Sequence, residues 1–362
     1  MIYRAIGIMS GSSLDGLDIA FTEFTETGGK WSYEIIVADC IEYDTLLRSQ
    51  LAEAIHLNAL NYQLLHTAYG HYIGGEVNKF IAAHNLHHKV HLVASHGHTT
   101  FHLPAKKMTA QLGDGAAIAA VTKLPVVSDL RSLDIALGGQ GAPIVPVGEK
   151  LLFEGYNFFL NIGGIANVSV KKGDNYIAYD ICAANRVLNM LAQQKGFEFD
   201  EGGKLAAAGK VNNALLEYLN SLEYYQLPYP KSLANSFGIE VVYPAIQAAG
   251  VSTEDALSTY TEHICSQVYN AVSNFAGDAG LKMLVTGGGA FNRFLIERLS
   301  TLLTPLNIEV VVPEENLVKY KEAVIMALIG ILRWREEPNT LPSVTGALQA
   351  GIGGALWLGG QG

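Results

Sequence analysis

Three glycine-rich stretches and one isolated aspartate carry the residue types that phosphate chemistry needs. The first stretch runs Gly11-Ser12-Ser13-Leu14-Asp15-Gly16-Leu17-Asp18. Its glycines permit a sharp backbone turn and leave N–H groups open to an anion. Ser12 and Ser13 add hydroxyl donors, and Asp15 offers the hard oxygen that a phosphate-bound Mg²⁺ takes, directly or through water. The second stretch is Asn161-Ile162-Gly163-Gly164-Ile165-Ala166-Asn167. The third, Gly287-Gly288-Gly289, lacks side chains where a base and ribose would lie on the backbone. Asp180 closes an apolar run and is placed to serve as a general base. Each feature also has a plain structural reading. The glycines fit ordinary hairpin or strand-to-helix turns, and Asp180 fits the cap of a helix opening over residues 183–186.

Gly11 and Gly16 have the spacing of a P-loop's two glycines, but Leu17 and Asp18 follow where Lys and Ser/Thr belong. A strand pattern then replaces the P-loop's helix, so any phosphate chemistry uses another scaffold. Histidines form a second group: His84, His87, His88, His91, His96, His98 and His102. His96 and His98, two apart on a strand, would face one side as zinc ligands do. No HExxH-type helix or carboxylate partner accompanies them. A His-based metal-dependent hydrolase is therefore the lesser reading, and donation to a sugar or phosphate the greater. A non-catalytic nucleotide-binding protein stays open as a third class.

The elements that must position these residues follow from periodicity. Residues 2–8 form an apolar run into the first glycine stretch. Beyond it Leu17, Ile19 and Phe21 alternate with Asp18, Ala20 and Thr22, which predicts strand, turn, strand. A third strand covers 33–40, helices cover 45–55 and 62–84, a buried strand covers 90–94, a helix 116–122 and a strand 125–128. The order then begins again: strand 158–162, glycine turn, strands 168–170 and 176–181, and helix 186–194. Helix 262–275, strand 282–286, helix 294–303, strand 308–312 and helix 322–335 complete it. This is an internal repeat of architecture. It predicts an α/β protein of two like-built domains with mixed sheets, their glycine turns facing each other across a nucleotide and substrate cleft. Residues 1–128, joined by the C-terminal segment 343–362, make the first domain, and residues 129–342 the second.

Composition narrows the partners. The 362 residues suffice for two substantial cores, and 49% hydrophobic against 16% charged residues makes the interior large relative to the polar surface. A net charge of −10 argues against nucleic acid or an anionic membrane. Cys40, Cys182 and Cys265 are too few, and odd in number, for a disulfide framework, which suits a reducing cytosol. The N-terminus enters a strand pattern without the layout of a signal peptide, and the apolar run 324–332 is too short to span a bilayer. A cytoplasmic protein without a membrane partner is expected.

Taken together, the motifs resemble those of the anhydro-N-acetylmuramic acid kinase family, within the sugar kinase, acetate kinase and actin-like ATPase superfamily of ribonuclease H-like domains. The likeness runs nearly end to end. Beyond the three glycine stretches it includes Ser95-His96-Gly97-His98-Thr99, Gln111-Leu112-Gly113-Asp114-Gly115 and Arg131-Ser132-Leu133-Asp134-Ile135-Ala136. Gly138-Gly139-Gln140-Gly141-Ala142-Pro143, Lys231-Ser232, Glu322-Ala323 and Leu341-Pro342-Ser343-Val344-Thr345-Gly346-Ala347 complete it.

The resemblance implies a kinase using ATP and Mg²⁺ that phosphorylates O6 of 1,6-anhydro-N-acetylmuramic acid and opens the anhydro ring with water. The products are N-acetylmuramic acid 6-phosphate and ADP, and the role is recycling of peptidoglycan sugar. It implies Asp180 as the base. Gly11, Ser12, Ser13, Leu14, Asp15, Gly16, Leu17 and Asp18 would bind nucleotide, with Asp15 at the metal. Asn161, Gly163, Gly164, Gly287, Gly288 and Gly289 would bind nucleotide as well. His96, Thr99, Arg131, Asp134 and Glu322 would line the sugar pocket. A homodimer is compatible with it. Two positions depart from the family pattern. Ile181-Cys182-Ala183-Ala184-Asn185 stands where the family carries glycines before its Asn, and His98 stands where the family has Gln. A kinase for a related amino sugar is the alternative these departures suggest.

Overall fold

The computed structural model describes residues 1–11, 14–173, 175–229, 231–234, 236–275, 277 and 280–360. The chain separates into two compact units, Met1–Glu154 with Tyr320–Gly362, and Gly155–Lys319. The divisions fall at 154/155 and 319/320, not at 128/129 and 342/343, and packing explains the shift. The short helices Ser132–Ala136 and Pro146–Leu152 lie against strands of unit 1. Gly148 is pressed on Ile325, and Phe153 meets Tyr33 edge-on at 5.4 Å. From Tyr320 onward, the helix Glu315–Trp334 lies so close to the unit 1 sheet that a Cβ on Gly7 would strike Ala323. A Cβ on Gly330 would likewise strike Ala94.

The sheet of unit 1 contains β1 (Ile2–Ser10), β2 (Gly16–Thr27), β3 (Lys30–Glu42), β4 (Leu92–Leu103), β5 (Met108–Leu112) and β6 (Val126–Ser128). In unit 2 follow β7 (Phe158–Ile162), β8 (Ile165–Lys172), β9 (Asn175–Ala183), β10 (Leu281–Thr286) and β11 (Ile308–Val311). The last strand, β12 (Ala355–Trp357), returns to unit 1 and pairs with β6. The orders are β12-β6-β4-β1-β2-β3, with β5 on β4, and β11-β10-β7-β8-β9. In each unit three antiparallel strands surround a glycine turn, and two further strands run parallel to the first of them. The repeated plan is thus present in the fold. The strand expected over 90–94 runs instead over Leu92–Leu103, and β5 pairs antiparallel with its outer half.

Alternation fixes which side of each sheet is buried. In unit 1, Ile6, Ile8, Leu17, Ile19 and Phe21 meet Tyr69, Ile73, Val77 and Phe80 of the helix Ala59–Ala83. In unit 2, Phe158, Leu160, Ile162, Ala166, Val168, Met283 and Val285 share a core with the helices Asn185–Gln193 and Thr253–Ser273. The residues between these belong to the opposite face, and the candidate site uses them. Among the described residues no helix is long and apolar enough to cross a membrane.

Candidate active site

Asp180 lies three residues from the end of β9 and is half-buried. It does not cap the following helix. The residue before that helix is Ala184, which makes no side-chain cap bond. The carboxylate is held by the segment Lys231-Ser232-Leu233 instead. Ser232 Oγ and the Leu233 N–H both donate to Oδ2, each at 2.9 Å. The Tyr224 hydroxyl donates to the Asp180 carbonyl at 2.7 Å, and Lys231 Nζ sits 4.6 Å from the Tyr224 ring centroid. Oδ1 makes no hydrogen bond among the described residues. Burial raises the carboxyl pKa above the ordinary range, and the Leu233 N–H and Ser232 hydroxyl partly offset that rise. One oxygen is therefore locked and the other is left for a proton.

Register places more polar residues beside it. Thr286 on β10 pairs with Asn161 on β7, Asn161 with Asn167 on β8, and Asn167 with Asp180. These four residues form one row on the face opposite the core. A β-bulge follows directly: Ala166 pairs with Cys182 and Asn167 with Asp180, so Ile181 is the extra residue. Sequence reasoning noted Ser232 within the family likeness but gave it no role, and it missed Thr286 and the part Asn167 plays in this row. Strand alternation could have found the row, but only once the pairing register was known.

The glycines of unit 2 divide into two kinds. A Cβ on Gly163 or Gly164 would find nothing nearer than 3.5 and 3.8 Å, and one on Gly288 nothing nearer than 3.5 Å. Internal packing does not demand glycine at these three. Gly287 has φ +81°, and a Cβ on Gly289 would strike Ile162 Cγ2, so the fold itself needs both. The turn is tied by Ala184 N–H to the Gly164 carbonyl at 2.8 Å and Asn185 N–H to the Gly163 carbonyl at 3.0 Å. The departure at 181–184 falls on this support. Cys182, Ala183 and Ala184 are buried in the unit's own core.

In unit 1, Gly11, Leu14, Asp15, Gly16, Leu17 and Asp18 surround the β1–β2 turn, while Ser12 and Ser13 lie outside the described residues. Leu14 has φ +58° and its N–H donates to the Gly11 carbonyl at 3.3 Å. A Cβ on Gly16 would strike Ile41 O at 2.7 Å. Asp18 pairs with Met9 and Cys40. Burial, with Glu322 and Asp15 adding repulsion, pushes its carboxyl up to about 6, although the Cys40 thiol hydrogen-bonds it. Glu322 is itself raised by burial, against the pull of Lys321 and Arg131.

The expected sugar-lining residues separate by role. His96 donates Nδ1–H to the Gly97 carbonyl at 2.8 Å and accepts from Arg131 Nε at 2.8 Å through Nε2. Burial beside Arg131 holds its pKa down to about 3, so the ring is neutral. With both nitrogens engaged it offers neither a donor to a sugar nor a ligand to zinc. Its effect is to aim Arg131, whose Nη1 also reaches the Gly141 carbonyl. His98 is buried, with Nδ1 3.4 Å from Ser10 Oγ, and Ser10 Oγ accepts from Tyr43. Asp134 is buried, and its two oxygens take Thr345 Oγ1 and the Gly141 N–H, both at 2.8 Å. It builds the loop instead of presenting an oxygen to a ligand. Thr99 Oγ1 accepts only a long 3.4 Å bond from Gln111. A cavity of about 300 Å³ in unit 1 is lined by Ser95, His96, Gln111, Asp114 and Ser128, and Ser95 Oγ, buried there, has no partner among the described residues. Among the described residues no group of three or more His, Cys, Asp or Glu is placed to hold a metal.

These features define a class, a duplicated α/β protein with one glycine-rich hairpin per unit and a half-buried carboxylate on the third strand of the second. The model of the family described as anhydro-N-acetylmuramic acid kinase matches residues 3–359, and the chain belongs to that family. A protein of that name from Methylobacterium nodulans is 35% identical, covering 97% of this chain and 98% of its own. Those from Sulfurovum sp. and Haemophilus influenzae are 33% and 32% identical, covering 98% and 97% of this chain and 99% and 97% of theirs.

Proposed function

We propose that this chain is an ATP-dependent kinase that phosphorylates O6 of 1,6-anhydro-N-acetylmuramic acid while water opens the anhydro ring. The products are N-acetylmuramic acid 6-phosphate and ADP, and the setting is cytoplasmic recycling of peptidoglycan sugar. Family membership supports the reaction class. The single observation that supports the chemistry is Asp180, with one oxygen saturated by Ser232 and Leu233 and the other unclaimed. Oδ1 takes a proton from the water that attacks the anomeric carbon. The C1–O6 bond breaks, O6 receives the γ-phosphoryl group, and ADP leaves.

Phosphoryl transfer depends on positioning and charge neutralisation more than on covalent help. The β1–β2 turn and the turn at Gly163 and Gly164 serve the phosphates, the Gly164 N–H being free among the described residues, and Gly288 serves the nucleoside. Mg²⁺ carried by ATP fits Asp15 and Asp18, since Asp18 is half-buried beside two other carboxylates, and few carboxylates are needed when phosphates supply the remaining ligands. When bound, the ion neutralises phosphate charge. Arg131, aimed by His96, and Glu322 are polar groups of unit 1 suited to meet the sugar.

The test is ADP release by the purified chain with a panel of amino sugars. Release dependent on the anhydro sugar supports the reading. Faster release with another amino sugar favours the alternative kinase, and ADP release indifferent to sugar contradicts both.

A further inference from the structure

We propose that Asn167 holds the attacking water jointly with Asp180, an inference that rests on the kinase reading above. Asn167 is the direct cross-strand partner of Asp180, on the same face of the sheet. Paired side chains of this kind have Cβ atoms about 4.5 to 5.5 Å apart, a gap that one water bridges. Asn167 is half-buried and its amide makes no hydrogen bond among the described residues. Further along the row, Thr286 is fully buried and its Oγ1 has no partner among the described residues, so the row carries hydrogen-bonding capacity that the unit itself does not use. The bulge at Ile181 lies immediately beyond the pair, where such irregularities re-aim side chains.

The chemistry follows from what a water must do there. It has two protons and needs a lone pair directed at the anomeric carbon. One proton faces Asp180 Oδ1, because Oδ2 already accepts from Ser232 and Leu233. The other faces Asn167 Oδ1, which fixes the water's rotation. As the O–C1 bond forms and C1–O6 breaks, the first proton passes to Asp180 and O6 takes the γ-phosphoryl group of ATP. Asn167 keeps its protons throughout and gives up none.

Steady-state kinetics of three variants on the full chain, with ATP and 1,6-anhydro-N-acetylmuramic acid, test this. Asn167→Ala is expected to lower kcat by about ten- to a hundredfold, the usual cost of a misplaced reactant, with the ATP KM within about twofold of the parent. Asn167→Asp keeps the shape and the acceptor oxygen but sets a second carboxylate opposite Asp180. Like charges that close raise a carboxyl pKa, so the acidic limb of the kcat–pH profile is expected to move up by about one unit. That shift reports the adjacency of the two side chains, whereas the water-holding role is read from a loss confined to kcat in Asn167→Ala, which a merely structural role would not confine to kcat. Parent-like kcat in Asn167→Ala, or an unmoved limb in Asn167→Asp, overturns the proposal. Asp180→Asn is run beside them: full turnover in that variant sinks the kinase reading first and this inference with it. Should Asn167→Ala fail to fold, the near-isosteric Asn167→Leu, which keeps the shape and removes the acceptor, decides by the same kcat reading.

Discussion

The two units carry equivalent rows beside their glycine turns, and the rows differ in one telling way. In unit 1 the second pair from the turn gives Met9, Asp18 and Cys40. In unit 2 it gives Asn161, Asn167 and Asp180. The same strand plan thus sets a carboxylate on the middle strand in one unit and on the edge strand in the other. Asp18 sits with Asp15 and Glu322 nearby and is pushed up to about 6, an electrostatic setting that suits a cation. Asp180 is raised by burial but anchored by two donors on one oxygen, a setting that suits a base. The duplicated scaffold supplies position, and neighbouring residues decide the use made of it.

The comparison breaks most visibly at the row's third position. Asp180→Asn is expected to lower kcat by about a thousandfold or more, as loss of a required base does, with ATP affinity retained in a titration. Cys40→Ala, its positional counterpart, is expected to leave kcat within about twofold. Equal losses would mean that the rows are not used differently. Next come the turns. Gly16→Ala forces a Cβ against the Ile41 carbonyl and is expected to cost about 1 to 3 kcal/mol, seen as a lower Tm. Gly164→Val meets no such obstacle within its unit and is expected to keep its Tm while raising the nucleotide KM about tenfold. A variant that lost stability with an unchanged KM would return that turn to a plain hairpin.

The smallest effect concerns Asp18. Its folded-state pKa, about 6, lies above the ordinary carboxylate value of 3.8, so the folded state binds the proton more tightly than the unfolded one. Its contribution to stability is fully present below about pH 3.8 and is lost as pH rises through about 6. Asp18→Asn is therefore expected to raise Tm at pH 8 by a few degrees and to change it little at pH 4. The same substitution is expected to weaken the dependence of turnover on Mg²⁺. A lower Tm at pH 8 would contradict the assignment of this carboxylate.

Much of the architecture was legible because period-2 alternation and glycine turns are local signals. The strands of both glycine hairpins and the repeat follow from them, whereas β5, β12 and the short helices between 204 and 248 do not. The boundary between units was not legible, since it depends on where helices such as Pro146–Leu152 pack. Asp180 and the glycine stretches stood out by residue type. Ser232 did not, because it reaches Asp180 across 52 positions, and no local pattern announces such a contact. His96 was legible as buried chemistry but misread as a donor, because its engagement with Arg131 and Gly97 appears only in three dimensions. The alanines at 183 and 184 looked like a change at the site and are instead core packing.

The most direct test of the central claim is the mass of the product formed from ATP and 1,6-anhydro-N-acetylmuramic acid. The account predicts a sugar heavier by one phosphate plus one water, formed by the parent chain and lost in Asp180→Asn. A product that gains phosphate without water, or undiminished formation in Asp180→Asn, would contradict it.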